Sequence, residues 1–162
     1  MKPIRRISPP GTYFVTSCTW QRRSLFQSER LARLFLETQY KYRRDGKFQL
    51  HAFVLMPDHF HLLITPAREV PLERALQLIK GGFSHAARAD LGCNLEIWER
   101  GFTDHRIRDA QDFAHHRDYI HQNPVAAGIV ATASEYRYSS AYPGFKLDSW
   151  PSAAEADLAL GA

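Results

Sequence analysis

Two apolar segments separated by only two residues constrain the fold of this chain more than any other feature. Phe48–Met56 and His59–Thr65 are rich in phenylalanine, leucine, valine and isoleucine, and Pro57-Asp58 lies between them. Runs of this length and composition, bounded by turn residues, are typical of β-strands. They predict a hairpin at the centre of a sheet.

The remaining pattern predicts two further strands and three helices around this hairpin. They are a strand over Gly11–Trp20, a helix from Ser28 to Gly46, a helix over Leu72–Phe83 that Gly81-Gly82 would kink or interrupt, a strand near Trp98 or over His105–Arg108, and a helix over Asp109–Asn123 that Pro124 would end. This order predicts an α+β fold, a ferredoxin-like (split βαβ) sandwich with a central antiparallel sheet and helices on one face.

The length of 162 residues fits one compact domain. We expect that domain to span residues 1–148 and to be followed by a C-terminal tail over 149–162. No segment has the roughly 18 apolar residues of a membrane span, and the first ten residues lack the apolar core of a secretory signal. These features favour an intracellular protein without a membrane partner, in which Cys18 and Cys93 are reduced thiols.

Basic residues concentrate in the first third of the chain. Residues 1–47 hold 11 of the 21 lysines and arginines but 3 of the 17 acidic residues. Arginines beside aromatic residues can follow a phosphate backbone and stack on bases. The candidates for DNA binding are Arg5, Arg6, Trp20, Arg22, Arg23, Arg43 and Arg44. A solvated basic surface with no partner would give the same pattern.

Two histidines stand two positions apart at the start of the second hairpin strand. Because side chains alternate along a strand, His59 and His61 should point to the same face. Neighbouring imidazoles can share one metal cation and leave positions open for a third ligand and a substrate oxygen. The alternative is a pair of surface histidines on a half-exposed strand.

The predicted third helix carries a polar stripe. Its members, spaced near helical periodicity, are Asp112, His116, Tyr119 and Asn123. Tyr119 is a candidate nucleophile for phosphorus, provided that its phenol is deprotonated and the charge of the phosphate is neutralised. Asn123, one turn later, offers a neutral oxygen as a third metal ligand. We assign Asp112 and His116 a supporting role.

Other interpretations of the tyrosines remain open. Tyr119 can equally be a half-buried tyrosine that bonds to the backbone. Tyr136, Tyr138 and Tyr142 are rival nucleophiles, although no ligand-type residue accompanies them at helical spacing.

Three ordered motifs together resemble the single-tyrosine HUH transposases of the IS200-like superfamily, and among these the REP-associated tyrosine transposases. The motifs are Met56-Pro57-Asp58-His59-Phe60-His61-Leu62-Leu63, Trp98-Glu99-Arg100-Gly101-Phe102-Thr103-Asp104-His105, and Asp118-Tyr119-Ile120-His121-Gln122-Asn123-Pro124-Val125 with Gly128. The resemblance implies an HUH-type ferredoxin-like fold, with His59, His61 and Asn123 as metal ligands and Tyr119 as nucleophile. It also implies Mg²⁺ or Mn²⁺ as cofactor, hairpin-forming single-stranded DNA (REP-like palindromes) as partner, and a cytoplasmic, nucleoid-associated protein. Asp58 departs from the pattern, since many relatives carry Asn there.

The expected function is therefore a metal-dependent single-stranded DNA endonuclease and strand transferase that forms a 5′-phosphotyrosine intermediate. One alternative is a non-catalytic single-stranded nucleic-acid binding module of ferredoxin-like fold, although an RNP-like aromatic signature is missing from the sequence. Another is a phosphoesterase with a histidine nucleophile, but Leu63 stands where its further histidine would be. Since the sequence has no Walker-type glycine loop, we expect no nucleotide cofactor. The choice between monomer and homodimer stays open.

Overall fold

A four-stranded antiparallel sheet forms the centre of the computed structural model, which describes residues 7–92 and 95–151. The strands are β1 (Tyr13–Cys18), β2 (Phe48–Met56), β3 (His59–Pro66) and β4 (Thr103–Arg106), in the spatial order β2-β3-β1-β4. The predicted hairpin is β2–β3, and the order of the strands is that of a split βαβ sandwich. The predicted fold class is thus confirmed. Of the two sites predicted for the last strand, the one near His105 is correct, whereas Trp98 makes a single bridge with Thr19.

Three helices complete the fold: α1 (Glu29–Arg44), α2 (Leu72–Leu91) and α3 (Ala110–Ala126). Two of them begin at side-chain caps. The Ser28 hydroxyl accepts a hydrogen bond from Leu31 N, and the Asp109 carboxylate accepts one from Asp112 N. Each cap pairs a backbone N–H that the first helical turn leaves unsatisfied, so these short polar residues fix where α1 and α3 start.

The helices cover both faces of the sheet, so the prediction that they lie on one face is wrong. α1 and α2 bury the face that carries Phe60 and Leu62. α3 lies on the opposite face, where Phe113 and Ile120 pack with Leu63. The reason is the composition of β2 and β3: they are apolar on both sides, and the second side also needs a covering layer.

Glycine and proline interrupt the helices less than expected. α2 continues through Gly81-Gly82 from Leu72 to Leu91, so the predicted interruption does not occur. A Cβ on Gly82 would lie 2.8 Å from Tyr42 Oη, which shows that the missing side chain serves the close approach of α1 and α2. α3 runs past Pro124 to Ala126, because a proline near the end of a helix removes only one of the last hydrogen bonds.

The segment after residue 140 returns to the sheet. Asp148 forms a bidentate ion pair with Arg43 and also accepts a hydrogen bond from Leu50 N. The Trp150 ring stacks on Phe113 with centroids 4.6 Å apart. The proposed boundary between a domain over 1–148 and a tail over 149–162 stays a prediction, and residues 152–162 lie outside the described residues. Among the described residues, no helix combines the length and the apolar character needed to cross a bilayer.

Candidate active site

The two histidines of β3 lie side by side on the face of the sheet that α3 covers. In the strand register, His61 stands opposite Thr16 and His59 opposite Cys18, both on β1. The two imidazole centroids are 4.8 Å apart. The side chain of His59 is 15% exposed and His61 is 5% exposed, so the pair opens to solvent on the His59 side.

Both imidazoles are held through Nδ1. His59 Nδ1 lies 2.7 Å from the Asp58 carboxylate, and His61 Nδ1 lies 2.7 Å from Thr16 Oγ1. Because a carboxylate accepts a hydrogen bond, His59 Nδ1 carries the proton, and the lone pair of Nε2 stays available. Burial, with smaller electrostatic contributions from the neighbouring His59 and Arg22, lowers the pKa of His61 to about 3. His61 is therefore a neutral imidazole at physiological pH, as a metal ligand must be.

α3 places Tyr119 and Asn123 next to the histidine pair of β3. Asn123 Nδ2 lies 3.3 Å from His61 Nε2, and rotation of the amide by half a turn would present Oδ1 there instead. The Tyr119 ring stands edge-on to the His61 ring with centroids 5.4 Å apart. Tyr119 is 51% exposed, so its ring is available to an external molecule. The structure thus brings together the four residues that the sequence singled out for chemistry.

Phe14 lies among the side chains of the site and was not anticipated from the sequence. Its ring stacks on His61 at 5.2 Å, meets Tyr119 edge-on at 5.9 Å and lies 4.8 Å from His116. Phe14, which belongs to β1, therefore packs against both the His61 ring and the Tyr119 ring. Only the pairing of β1 with β3 brings Phe14 here, and no local motif encodes that pairing.

A second polar cluster joins the start of α3 to β4. His105 Nε2 lies 2.8 Å and His116 Nδ1 3.1 Å from the Asp112 carboxylate, so these three side chains have the spacing of a metal-binding group. Burial acts to raise the pKa of Asp112, but hydrogen bonds from the Arg108 backbone N–H and from His105 outweigh it and lower the pKa to about 2. The sequence indicated Asp112 and His116 as supporting residues, whereas His105 was expected only as part of a strand.

The predicted basic DNA-binding residues do not form one group. Arg22 pairs with Asp58, next to the histidines. Arg43 pairs with Asp148, at the opposite end of β3 and roughly 20 Å from His59 by strand geometry. Trp20 and Arg22 lie in a short 3-10 turn that Arg23 ends, and Arg44 ends α1 with its neighbour Arg43. Arg5 and Arg6 lie outside the described residues.

Comparison with known proteins identifies the family. The family model described as "Transposase IS200 like" matches residues 11–123, which include every residue of the site above. This chain belongs to that family. It is 34% identical over 140 residues to the REP-associated tyrosine transposase of Escherichia coli K12, covering 80% of this chain and 76% of that protein.

Two solved structures agree with the fold. The structure of a REP-associated tyrosine transposase bound to a REP hairpin matches with a TM-score of 0.72 and 29% identity, covering 94% of this chain and 96% of that chain. A candidate transposase from Deinococcus radiodurans matches with a TM-score of 0.53 and 17% identity over 74% of this chain and 95% of its own, which supports the fold alone. The resemblance to REP-associated tyrosine transposases is therefore confirmed.

Proposed function

We propose that this IS200-like transposase is a metal-dependent endonuclease and strand transferase for single-stranded DNA, with Tyr119 as its nucleophile. The observation that carries the proposal is the convergence of Tyr119 and Asn123 of α3 with the two histidines of β3. Family membership supports DNA cleavage as the class of reaction.

The chemistry of the donors fits a divalent cation. His59 and His61 are both held through Nδ1, so their two Nε2 atoms would bind the cation. Asn123 would add a neutral oxygen, so the site would keep the full positive charge of the ion for an anionic substrate. Mg²⁺ or Mn²⁺ bound there would neutralise charge on the scissile phosphate and polarise its P–O bonds.

Tyr119 would carry out the covalent step. Its Oη attacks the scissile phosphorus in line, and the Tyr O–P bond forms while the bond from phosphorus to the 3′ oxygen breaks. The phenol proton passes to water at the exposed side of the ring, and the 3′ oxygen takes up a proton from water. The products are a 5′-phosphotyrosine and a free 3′-hydroxyl. Because the ester keeps the energy of the broken bond, a 3′-hydroxyl can attack it and rejoin DNA without ATP.

The proposed substrate is single-stranded DNA that folds into a hairpin. The support is similarity to a transposase whose structure holds a REP hairpin and to an Escherichia coli relative named for REP association. Repetitive palindromes would supply such hairpins, and this transposase would act on the strand next to them.

A denaturation-resistant adduct tests the nucleophile. We expect the protein, mixed with hairpin-bearing single-stranded DNA and Mn²⁺, to form a covalent complex that survives denaturing electrophoresis. Tyr119→Phe should abolish the complex, because it removes only the attacking oxygen. Tyr142→Phe is the matched control: Tyr142 is also exposed but makes no contact with the histidine pair among the described residues, and its variant should keep the adduct.

Two results would contradict the proposal. An adduct that persists in Tyr119→Phe would assign the nucleophile to another residue. DNA binding without an adduct under any divalent ion would instead favour a non-catalytic binding module.

A further inference from the structure

The backbone before the candidate site holds two consecutive non-glycine residues in the left-handed region. Gln21 has φ 53° and Arg22 has φ 54°. Gln21 N donates to the Glu99 carboxylate at 2.8 Å, which ties this turn to the segment before β4. Left-handed backbone is unfavourable for residues with a Cβ, so the surrounding structure must maintain this conformation.

The turn places the Arg22 guanidinium on Asp58, the residue that precedes His59. Arg22 Nε donates to Asp58 Oδ2 at 3.1 Å, and Arg22 Nη1 donates to Cys18 Sγ at 2.8 Å. The other oxygen of Asp58 accepts the hydrogen bond from His59 Nδ1. One carboxylate therefore orients both an imidazole of the candidate metal site and an arginine beside it.

The stability of this ion pair does not explain the strained turn. The Arg22 side chain is 57% exposed, and ion pairs of such exposure contribute little to folding. Two left-handed residues cost more than such a pair returns. Residues in sparsely populated backbone regions cluster at functional sites.

Arg22 retains the means to bind an anion. Its Nη2 takes part in neither contact and the side chain is largely exposed. Because Asp58 contacts both Arg22 and His59, the guanidinium lies beside the histidine pair. Arg43, by contrast, donates hydrogen bonds from both Nε and Nη2 to Asp148 at the far end of β3.

We propose that Arg22 binds a backbone phosphate of the single-stranded DNA at the rim of the candidate active site, and that Asp58 is the positioning residue for both Arg22 and His59. The proposal rests on the proposed function, since it assumes that DNA and a cation meet at the histidine pair. It adds that one carboxylate, Asp58, connects DNA binding with metal binding. Asp58 orients both the arginine that would bind phosphate and the His59 imidazole that would bind the cation.

The Arg22 part is tested by DNA binding in EDTA, where no cation contributes and no strand is cut. We expect Arg22→Ala to weaken binding of a fluorescent single-stranded oligonucleotide about tenfold, as for loss of one charge-assisted hydrogen bond. The slope of log affinity against log salt should fall by about 0.7, the value for one phosphate contact on a single strand. Arg74→Ala removes an exposed arginine of α2 as the matched control and should leave both quantities unchanged. Equal behaviour of the two variants would overturn the assignment of Arg22.

The Asp58 part is tested by Mn²⁺ binding in calorimetry without DNA. We expect Asp58→Ala to lower the affinity about 10- to 100-fold, as for other residues that orient a metal-binding histidine. Asp58→Asn keeps an oxygen for His59 Nδ1 and should restore most of the Mn²⁺ affinity but not the DNA affinity, because an amide is a poorer anchor for Arg22.

The two proposals fail in different ways. Wild-type Mn²⁺ affinity in Asp58→Ala would overturn the role of Asp58 while leaving the proposed function intact. A wild-type protein that binds no Mn²⁺ would overturn both the proposed metal site and the role of Asp58. The measurement in EDTA would still test the role of Arg22, because it does not depend on metal binding.

Discussion

At the scale of single residues, hydrogen bonding distinguishes the β3 histidine pair from the His105, Asp112 and His116 cluster. In the β3 pair, Asp58 and Thr16 engage the two Nδ1 atoms, and the only contact at His61 Nε2 among the described residues is the Asn123 amide at 3.3 Å. In the second cluster the Asp112 carboxylate already accepts hydrogen bonds from His105 and from the Arg108 backbone, and His116 Nδ1 lies 2.8 Å from the Asp112 carbonyl oxygen. A cation would have to displace those bonds, so we expect the β3 pair to bind metal first.

Mn²⁺ binding by matched histidine variants distinguishes the clusters. His61→Ala should lower Mn²⁺ affinity at least about 100-fold, because it removes a direct ligand from a site with three protein donors. His105→Ala removes one imidazole from the second cluster and should change the affinity less than threefold, by roughly 0.6 kcal/mol or less. Titration calorimetry gives both values. Loss of binding in His105→Ala with binding kept in His61→Ala would move the metal site to the second cluster.

At the scale of elements, the contact between α1 and α2 depends on one of two adjacent glycines. A Cβ on Gly81 meets nothing within 4 Å, whereas a Cβ on Gly82 would meet the end of the Tyr42 side chain at 2.8 Å. Gly81→Ala should stabilise the protein by about 0.5–1 kcal/mol, since alanine loses less backbone entropy in a helix. Gly82→Ala should be about 1 kcal/mol less stable than Gly81→Ala, because Tyr42 must move aside. Urea unfolding measures both, and equal stabilities would contradict the close approach.

Local sequence patterns predicted the elements well but not their arrangement. The hairpin turn and the Ser28 cap act over a few residues, and the structure has both where the sequence indicates them. The face that α3 covers depends instead on contacts between Phe113 and distant strands. Periodicity gives a helix an apolar side but does not say which layer it joins.

The same division applies to the candidate site. His59 with His61, and Tyr119 with Asn123, were found because each pair follows a local period of two or four residues. Phe14 enters the site through strand register, far from these residues in sequence. Asp58 is adjacent to His59, but its contact with Arg22 depends on a left-handed turn that no sequence pattern announces.

At the scale of the whole molecule, Asp148 connects the C-terminal segment to the sheet. Its carboxylate binds Arg43 of α1 and the Leu50 N–H of β2. Burial acts to raise the pKa of Asp148, but these hydrogen bonds and the charge of Arg43 lower it below the ordinary value of 3.8. A carboxyl group whose pKa is lowered by folding stabilises the protein above its ordinary pKa, and this contribution disappears as the pH falls through the folded value.

We therefore expect Asp148→Asn to lower the free energy of unfolding by about 1–2 kcal/mol at pH 7, because the amide cannot pair with the Arg43 charge. The difference from wild type should persist down to about pH 5 and shrink below about pH 4, where the wild-type carboxyl becomes protonated. Urea midpoints across this range measure it.

Asp45→Asn is the control for this prediction. Asp45 pairs with Lys41 on the surface, where both side chains are exposed, and its loss should have little effect at any pH. A difference between Asp148→Asn and wild type that stays constant down to pH 2 would show that charge pairing is not the cause.

Tyr119 is the one tyrosine of the seven whose ring contacts the histidine pair in the part of the chain that the structure describes. Under the proposed mechanism, each polypeptide can consequently hold a single DNA end at a time. Exchange of two ends then requires either two polypeptides acting side by side or one that releases its first end before cutting again. The number of covalent links per particle in a trapped synaptic complex would distinguish these routes.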